Sequence, residues 1–471
     1  MKKKIVIAGG GTAGWMCAAA LANVLPRHQY HIALVESPDI SSVSVGEATI
    51  PNISNFLDLA DISEQELLKS TFGTYKLGIA FENWGLESKS YMHPFGGLGV
   101  PIYGVHFFHY LLRGKCTLDD LPGFCVEWAL ARKNIFRKLD RPKTIYAYHL
   151  NAVAFASLLQ RVSTSRGVEH IKQNILRVEY DPEIGISKLV LEDMFIENAH
   201  IYLDCTGFRG LLISGLETSG NFSDWSSYFP CNCAITLPSA LSTHRPYTIA
   251  TACSNGWRWD IPLTNRTGIG RVFSTGFDDE QSIMDQLTEF VRAPLADPGV
   301  LRWRSGVRSK TWIGNCIAIG LSSGFLEPLE STSIYLIQAA INRLINLLPG
   351  EVEPGAERVE FNTQTMREYE HIRDFLLAHY ILSDPKKSEF WNYVCNMKIP
   401  DTLAHRLELF RASGRIFRRS DELFNEHSWF YVLFGQGVRP AQYHPLADAL
   451  PMTGLRDIQS KIRKLIADKV S

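Results

Sequence analysis

The chain has 471 residues, 48 Lys+Arg against 49 Asp+Glu for a net charge of −1, and 45% hydrophobic residues. That is ample material for a large core. It excludes a disordered or staple-dependent chain, and α/β folds with insertions reach this length as one body. The balanced charge gives no reason to seek nucleic acid or anionic membranes as partners. The 9 cysteines are scattered without a CxxC pair, Cys231 and Cys233 coming closest. A disulfide framework and a structural zinc are therefore not expected, no metal is called for, and a reducing, cytoplasmic setting is.

Met1-Lys2-Lys3-Lys4 is basic, but glycines break the apolar run that follows, so the start reads as strand and turn rather than signal peptide. No uncharged run is long enough to span a bilayer. Ile5-Val6-Ile7-Ala8 predicts a strand, Gly9 to Gly14 a turn, Trp15 to Ala22 a small-residue helix and His31 to Val35 a second strand ending at Glu36. Together they make a right-handed, parallel βαβ unit. Further strands are predicted at 175–178, 188–191, 200–203 and 316–319, and beyond Pro354 helical periodicity takes over, as in 364–380 and 403–417. The plan is α/β: a nucleotide-binding body, an inserted β-rich substrate region and a helical C-terminal cap. The body spans 1–350, with substrate-facing segments at about 75–145 and 225–300, and the cap spans 351–471.

The turn Gly9-x-Gly11-x-x-Gly14 has a mechanism. Gly9 permits the tight turn, Gly11 lets a pyrophosphate approach the backbone, and Gly14 lets helix pack on sheet. Thr12 and Ala13 lie in this turn as further cofactor-binding candidates, and the N-terminal amides and dipole of the helix after it face the phosphates. Glu36 is placed to accept from a ribose hydroxyl. The motif alone does not separate FAD from NAD. A late glycine loop, Gly320-Leu321-Ser322-Ser323-Gly324, follows a strand and precedes a long helix, so it can bring a second helix N-terminus to a flavin and favours FAD.

Three other stretches are each open to a plain reading. Gly46-Glu47-Ala48-Thr49-Ile50-Pro51 is a turn entering a helix. Trp257-Arg258-Trp259-Asp260-Ile261-Pro262 puts two indoles on one face of a strand, which also serves core packing. Glu327 to Ser333 precedes an apolar helix, so its acids and hydroxyls can be caps, or its amides can hold a small anion.

Taken together they resemble the flavin-dependent halogenases, often called tryptophan halogenases. The matching stretches are GGGTAG at 9–14, GEATIP at 46–51, Thr74 to Ile79, Tyr148 to Ala152, Asp204 to Gly210, the Trp257-x-Trp259-x-Ile261-Pro262 signature and Glu327 to Ser333. A weaker one is Gly435 to Val438 with Tyr443-His444-Pro445. The resemblance runs nearly the whole chain and implies a Rossmann-like body of the two-dinucleotide-binding flavoprotein type. It assigns Gly9, Gly11, Gly14 and Glu36 to FAD, and the strap from Val45, Gly46, Glu47 and Ala48 to Pro51 to the link between flavin and substrate sites. Lys76 matches the catalytic lysine and Glu330 the essential acid, while Thr332 and Ser333 match the pair whose amides hold halide. His93 and Phe95, in His93-Pro94-Phe95-Gly96, resemble the aromatic walls that sandwich an indole, and Phe424, Trp429 and Phe430 lie where that pocket closes.

The implied chemistry uses reduced FAD, O2 and halide to make hypohalous acid. Lys76 then hydrogen-bonds it or captures it as a haloamine, which asks for an accessible lysine poised near neutrality. Glu330 polarises the oxidant and deprotonates the ring intermediate. No second nucleotide fold for NAD(P)H is evident, so a separate flavin reductase, generic or dedicated, supplies reduced FAD. Family members often form homodimers. The alternatives are a flavin monooxygenase, against which Lys76 and the tryptophan pair argue, and a catalytically idle FAD-binding protein.

Departures shape the substrate expectation. Many members carry glycine where Ser333 stands, and 384–391 (DPKKSEFW) differs from the family's residues before its Phe-Trp pair. No residues align with the clamp for an amino acid's amine and carboxylate, and the chain is shorter than tryptophan-specific members. Indoles or other electron-rich aromatics in a more open site are expected ahead of free tryptophan. Bromide or iodide, being easier to oxidise, is expected to outpace chloride.

Overall fold

A computed structural model describes residues 2–40, 46–217, 220–241, 244–350, 354–419 and 421–471. The chain divides into two compact units, each assembled from three separate segments.

The first unit takes 1–73, 150–227 and 303–369. Its centre is a six-stranded sheet in the order Trp312–Ile313, Cys316–Ala318, Ile201–Asp204, Lys3–Ala8, Tyr30–Glu36, Glu169–Lys172. The neighbours are parallel except for the edge hairpin 312–318. Ile5, Val6, Ile7 and Ala8 are wholly buried, as a strand covered on both faces must be. The helix Thr12–Val24 packs on the helices Ala152–Ser165 and Ser333–Asn346. Its small residues, with Cys17, Ala18, Ala19 and Ala20 all buried, permit that close approach. An antiparallel three-stranded sheet, Ile175–Asp181, Gly185–Leu191 and Phe195–Glu197, packs Ile186, Leu189 and Leu191 into one core with Val6, Ala8, Ala33 and Val35 of the central sheet.

The second unit takes 74–149, 228–302 and 370–471. Its seven-stranded sheet runs Gly299–Arg302, Cys233–Thr236, Thr267–Phe273, Gly256–Pro262, Thr248–Cys253, Gly78–Glu82, Tyr91–Pro94, antiparallel except where 248–251 meets 79–82. The helices Glu389–Asn396, Asp401–Ser413, Glu426–Gly435 and Met452–Val470 belong to this same unit.

The predicted strands are present as 175–181, 185–191, 201–204 and 316–318. Two element readings need correction. The helix foreseen over 403–417 ends at Ser413, because Gly414 caps it in the left-handed conformation (φ 66°). The loop at 320–324 does not open directly into a long helix. A short 3-10 turn, the two-residue strand Gly324–Phe325 and a second 3-10 turn at Pro328–Glu330 intervene, and the helix starts at Ser333. None of the nine cysteines is in a disulfide. Among the described residues no helix is long and apolar enough to cross a membrane, and no group of three His, Cys, Asp or Glu is placed to hold a metal.

Candidate active site

In the first unit, the C-terminal ends of the parallel strands open on a cavity lined by Gly9, Gly10, Gly11, Val35, Glu36, Ser37, Cys205, Thr206 and Arg209, among others. The glycine turn is fixed by what surrounds it. Gly9 has φ 110°, and a Cβ there would lie 2.3 Å from the carbonyl oxygen of Cys205. A Cβ on Gly14 would lie 1.9 Å from the carbonyl oxygen of Gly9, which closes the turn against the helix. Around Gly11 there is open space instead. Gly11 is the N-cap of the helix 12–24 and makes no side-chain cap hydrogen bond. Among the described residues, therefore, no N-cap side chain claims the first amides of this helix, whose N-terminus lies at the cavity as a pyrophosphate requires. The residues present fit a dinucleotide.

Gly10, an unassigned position within the motif, lies under the Glu36 side chain, which a Cβ would displace. A Cβ there would lie 2.2 Å from Oε1 of Glu36. Nε2 of His170 lies 2.7 Å from Oε2 of the same carboxylate. Neither residue was marked in the sequence, because a strand histidine some distance down the chain carries no motif. Asp204 organises the opposite lip. Its Oδ1 accepts from the amide and hydroxyl of Thr206 (3.0 and 2.6 Å), and its Oδ2 accepts from the amides of Leu212 and Ile213 (2.8 and 2.9 Å). That explains the Asp204-Cys205-Thr206-Gly207 stretch as a loop clamp. Gly320 (φ 78°) backs the first helix, since a Cβ there would lie 2.9 Å from that of Ala13, and Leu321 is exposed. Val45 lies outside the described residues. Gly46, Glu47 and Ala48 form a short strand, and Ala48 is buried.

Glu330 ends the 3-10 turn Pro328–Glu330 and is fully buried. Ser331 follows in the left-handed region (φ 59°), which redirects the chain so that Thr332 becomes the N-cap of the helix Ser333–Asn346. Thr332 makes no side-chain cap bond, and its buried Oγ1 has no hydrogen-bond partner among the described residues. The turn thus leads into the N-terminus of a long helix, with no cap from the Thr332 side chain.

In the second unit, Lys76 closes the strand Thr74–Lys76, which pairs with Ala147–His149. The side chain of Lys76 is 0% exposed and its Nζ lies 5.3 Å from the Phe95 ring centroid. An accessible lysine was expected; bulk water does not reach this one, because sheet and aromatic residues enclose it. His149 beside it is buried and linked at both ring nitrogens, Nδ1 2.8 Å from Oγ1 of Thr74 and Nε2 3.0 Å from Oγ1 of Thr248. Thr74 donates its own hydroxyl proton to the carbonyl of Pro262 (2.7 Å), so His149 Nδ1–H is the donor to Thr74 and Nε2 accepts from Thr248. Burial, and then the positive charges of Lys76 and Arg245, hold the His149 pKa well below its ordinary value, so the ring is neutral.

That contact gives the signature motif a structural role. Pro262 ends the strand Gly256–Pro262, where Trp257 and Trp259 lie on one face with ring centroids 5.8 Å apart, and Ile261 is buried. The Trp259 ring lies across Gly270, where a Cβ would be 2.0 Å away. His93 is buried, with its ring centroid 5.5 Å from that of Phe375 and 6.1 Å from that of Phe424. Phe375 stacks on Phe424 at 3.7 Å and meets the edge of Trp429 at 4.9 Å. His93, Phe424 and Trp429 are thus brought together around Phe375, which sequence reasoning missed; it sits in a long helix whose apolar stripe reads as ordinary core.

The profile of the tryptophan halogenase family matches residues 4–452. A tryptophan 6-halogenase of Streptomyces toxytricini is 31% identical, over 94% of this chain and 92% of its own. Among solved structures, a flavin-dependent halogenase from Xanthomonas campestris superposes with a TM-score of 0.95 at 40% identity, covering 100% of this chain and 96% of that one. Another, from Brevundimonas sp. BAL3, gives 0.92 at 36% identity with coverage of 100% and 96%.

Proposed function

Because the chain belongs to the tryptophan halogenase family and is a flavin-dependent halogenase, we propose that it installs halogen on an electron-rich, indole-like aromatic by way of Lys76 and Glu330. Reduced FAD, delivered by a separate flavin reductase, supplies with O2 the oxidising power that turns halide into hypohalous acid. Gly9 to Gly14 with Glu36 bind the cofactor, and the amides of Thr332 and Ser333 hold the halide. Lys76 meets the hypohalous acid, either as a hydrogen-bond donor or as an amine that takes the halogen and releases water. In the second form the aromatic carbon takes halogen from the N–X bond, and the Glu330 carboxylate removes the ring proton and returns it to the lysine nitrogen, which regenerates the amine.

The observation that carries this reading is the enclosure of Lys76. A lysine on a surface strand would be solvated. This one is wholly buried against Phe95, beside a histidine kept neutral. An oxidant reaching it meets an amine and an aromatic wall in place of water, which protects a reactive species from hydrolysis. The relatives' names specify tryptophan; for this chain an indole without the amino-acid clamp is favoured, because the 384–391 segment departs from the family pattern. In that segment Lys387 is engaged locally, 3.0 Å from Oγ of Ser383.

The test is mass spectrometry of reactions containing FAD, a flavin reductase, NADH, O2 and chloride, bromide or iodide, over a panel of indoles, phenols and tryptophan. Halogen mass shifts that vanish in Lys76→Ala are expected. An oxygen mass shift in their place would sink the reading in favour of a monooxygenase, and silence on every substrate would leave an FAD-binding protein without this chemistry.

A further inference from the structure

We infer that His170 is a positioning residue for the cofactor: it fixes the Glu36 carboxylate so that the cavity recognises the vicinal diol of an adenosine ribose. The inference rests on the reading that this cavity takes FAD, and it names which residue outside the motif gives the cavity its selectivity for the AMP half.

The hydrogen-bond directions follow from the donors available. Gln160 lies with its side-chain nitrogen 3.1 Å from Nδ1 of His170. An amide nitrogen only donates, so Nδ1 accepts and the ring proton sits on Nε2. Nε2–H therefore donates to Oε2 of Glu36 at 2.7 Å, a charge-assisted bond even with a neutral imidazole. Two elements hold the ring in place. His170 lies on the edge strand Glu169–Lys172, in register with Leu34 of the strand that carries Glu36, and the edge of Trp15 meets its ring at 4.9 Å and 81°. On its other side the carboxylate lies against the Cα of Gly10, leaving no room for a Cβ.

The carboxylate is thus placed between a histidine and a glycine, yet the Glu36 side chain remains 26% exposed, on the cavity wall. A carboxylate has about four acceptor sites. His170 occupies one, and the rest face a ligand able to donate twice from adjacent carbons, which is what a ribose diol does. Without His170 the carboxylate regains its rotational freedom, and that freedom must be lost again on binding.

The experiment measures displacement of FAD from the purified protein by ADP and by 2′,3′-dideoxy-ADP, in wild type, His170→Leu and His170→Gln, followed by flavin fluorescence, with melting temperatures taken without ligand. Wild type should prefer ADP by about tenfold or more, the scale of a hydrogen bond to a charged acceptor. His170→Leu should bring the preference close to one, and His170→Gln, whose amide replaces the Nε2 donor, should restore most of it. A preference unchanged in His170→Leu overturns the inference, as does a wild type that shows none. A merely structural role would weaken both nucleotides in parallel and leave their ratio intact, which also overturns it. If wild type binds no FAD at all, it is the flavin reading that fails.

Discussion

The ammonium nitrogen of Lys76 lies 5.3 Å from the centroid of the Phe95 ring, and the lysine is closed off from solvent. A cation over an aromatic face at that distance is held by the ring quadrupole, and desolvation strengthens the attraction toward about 2 kcal/mol. Phe95→Leu should therefore displace the amine without removing it. Halogen incorporation is expected to fall by roughly tenfold to a hundredfold, the scale of a misplaced reacting group, while FAD binding is retained. Product formation and FAD titration on the same preparation check this; unaltered turnover in Phe95→Leu would remove the ring from the site.

Glycine is required after Phe95. A Cβ on Gly96 would lie 1.7 Å from Oε2 of Glu127, and the carbonyl of Gly96 accepts from the Tyr431 hydroxyl at 3.1 Å. Gly96→Ala should lower unfolding stability by about 1–3 kcal/mol, the usual overpacking cost, measurable by urea denaturation.

Glu127 also sets a pH dependence. Burial, chiefly, pushes its pKa up, with the Ile145 amide opposing at 2.7 Å. A carboxyl raised in the folded state binds its proton more tightly there than when unfolded. Its contribution is present below the ordinary carboxyl range and lost as pH rises through the raised value. In Glu127→Gln, the stability lost as pH rises above the ordinary carboxyl range should be smaller than in wild type, as read from denaturation midpoints.

His427 acts in the opposite sense. Burial first, then the charge of His106, lowers its pKa from 6.5 to about 4. Its Nδ1 accepts from the Leu98 amide at 3.3 Å, which a protonated ring cannot do. The stability it contributes is present above pH 6.5 and lost as pH falls toward 4. Melting temperatures of wild type should drop across that window, and those of His427→Asn should drop less steeply. Parallel curves would sink this assignment.

At the helix start 332–333, halide selectivity should be weak. The turn offers the helix start and the hydroxyl of Thr332, which has no hydrogen-bond partner among the described residues. Bromide, easier to oxidise, is expected to be incorporated faster than chloride when both compete at equal concentration, and Ser333→Gly to shift that ratio. Faster chloride incorporation would refute it.

The sequence by itself determined the βαβ unit, the dinucleotide turn and the residues expected to do chemistry. Each is encoded locally: a strand of four apolar residues, glycines where the backbone must turn or a helix must approach, and short motifs such as Trp257-x-Trp259. Lys76, Glu330, Thr332 and Phe95 were named only through the family resemblance that such stretches carry. Only the tertiary structure decided what those residues face. Glu36 lies over Gly10 and is held by His170 from a distant strand, and His149 is neutral because burial and the charges of Lys76 and Arg245 make it so, with two threonines setting its tautomer. Phe375 gathers His93, Phe424 and Trp429 into one cluster although nothing in its own helix marks it. The physical reason is range. Backbone conformation answers to neighbours within a few residues, whereas burial, hydrogen-bond partners and protonation answer to groups hundreds of residues away in sequence that packing brings within a few ångströms.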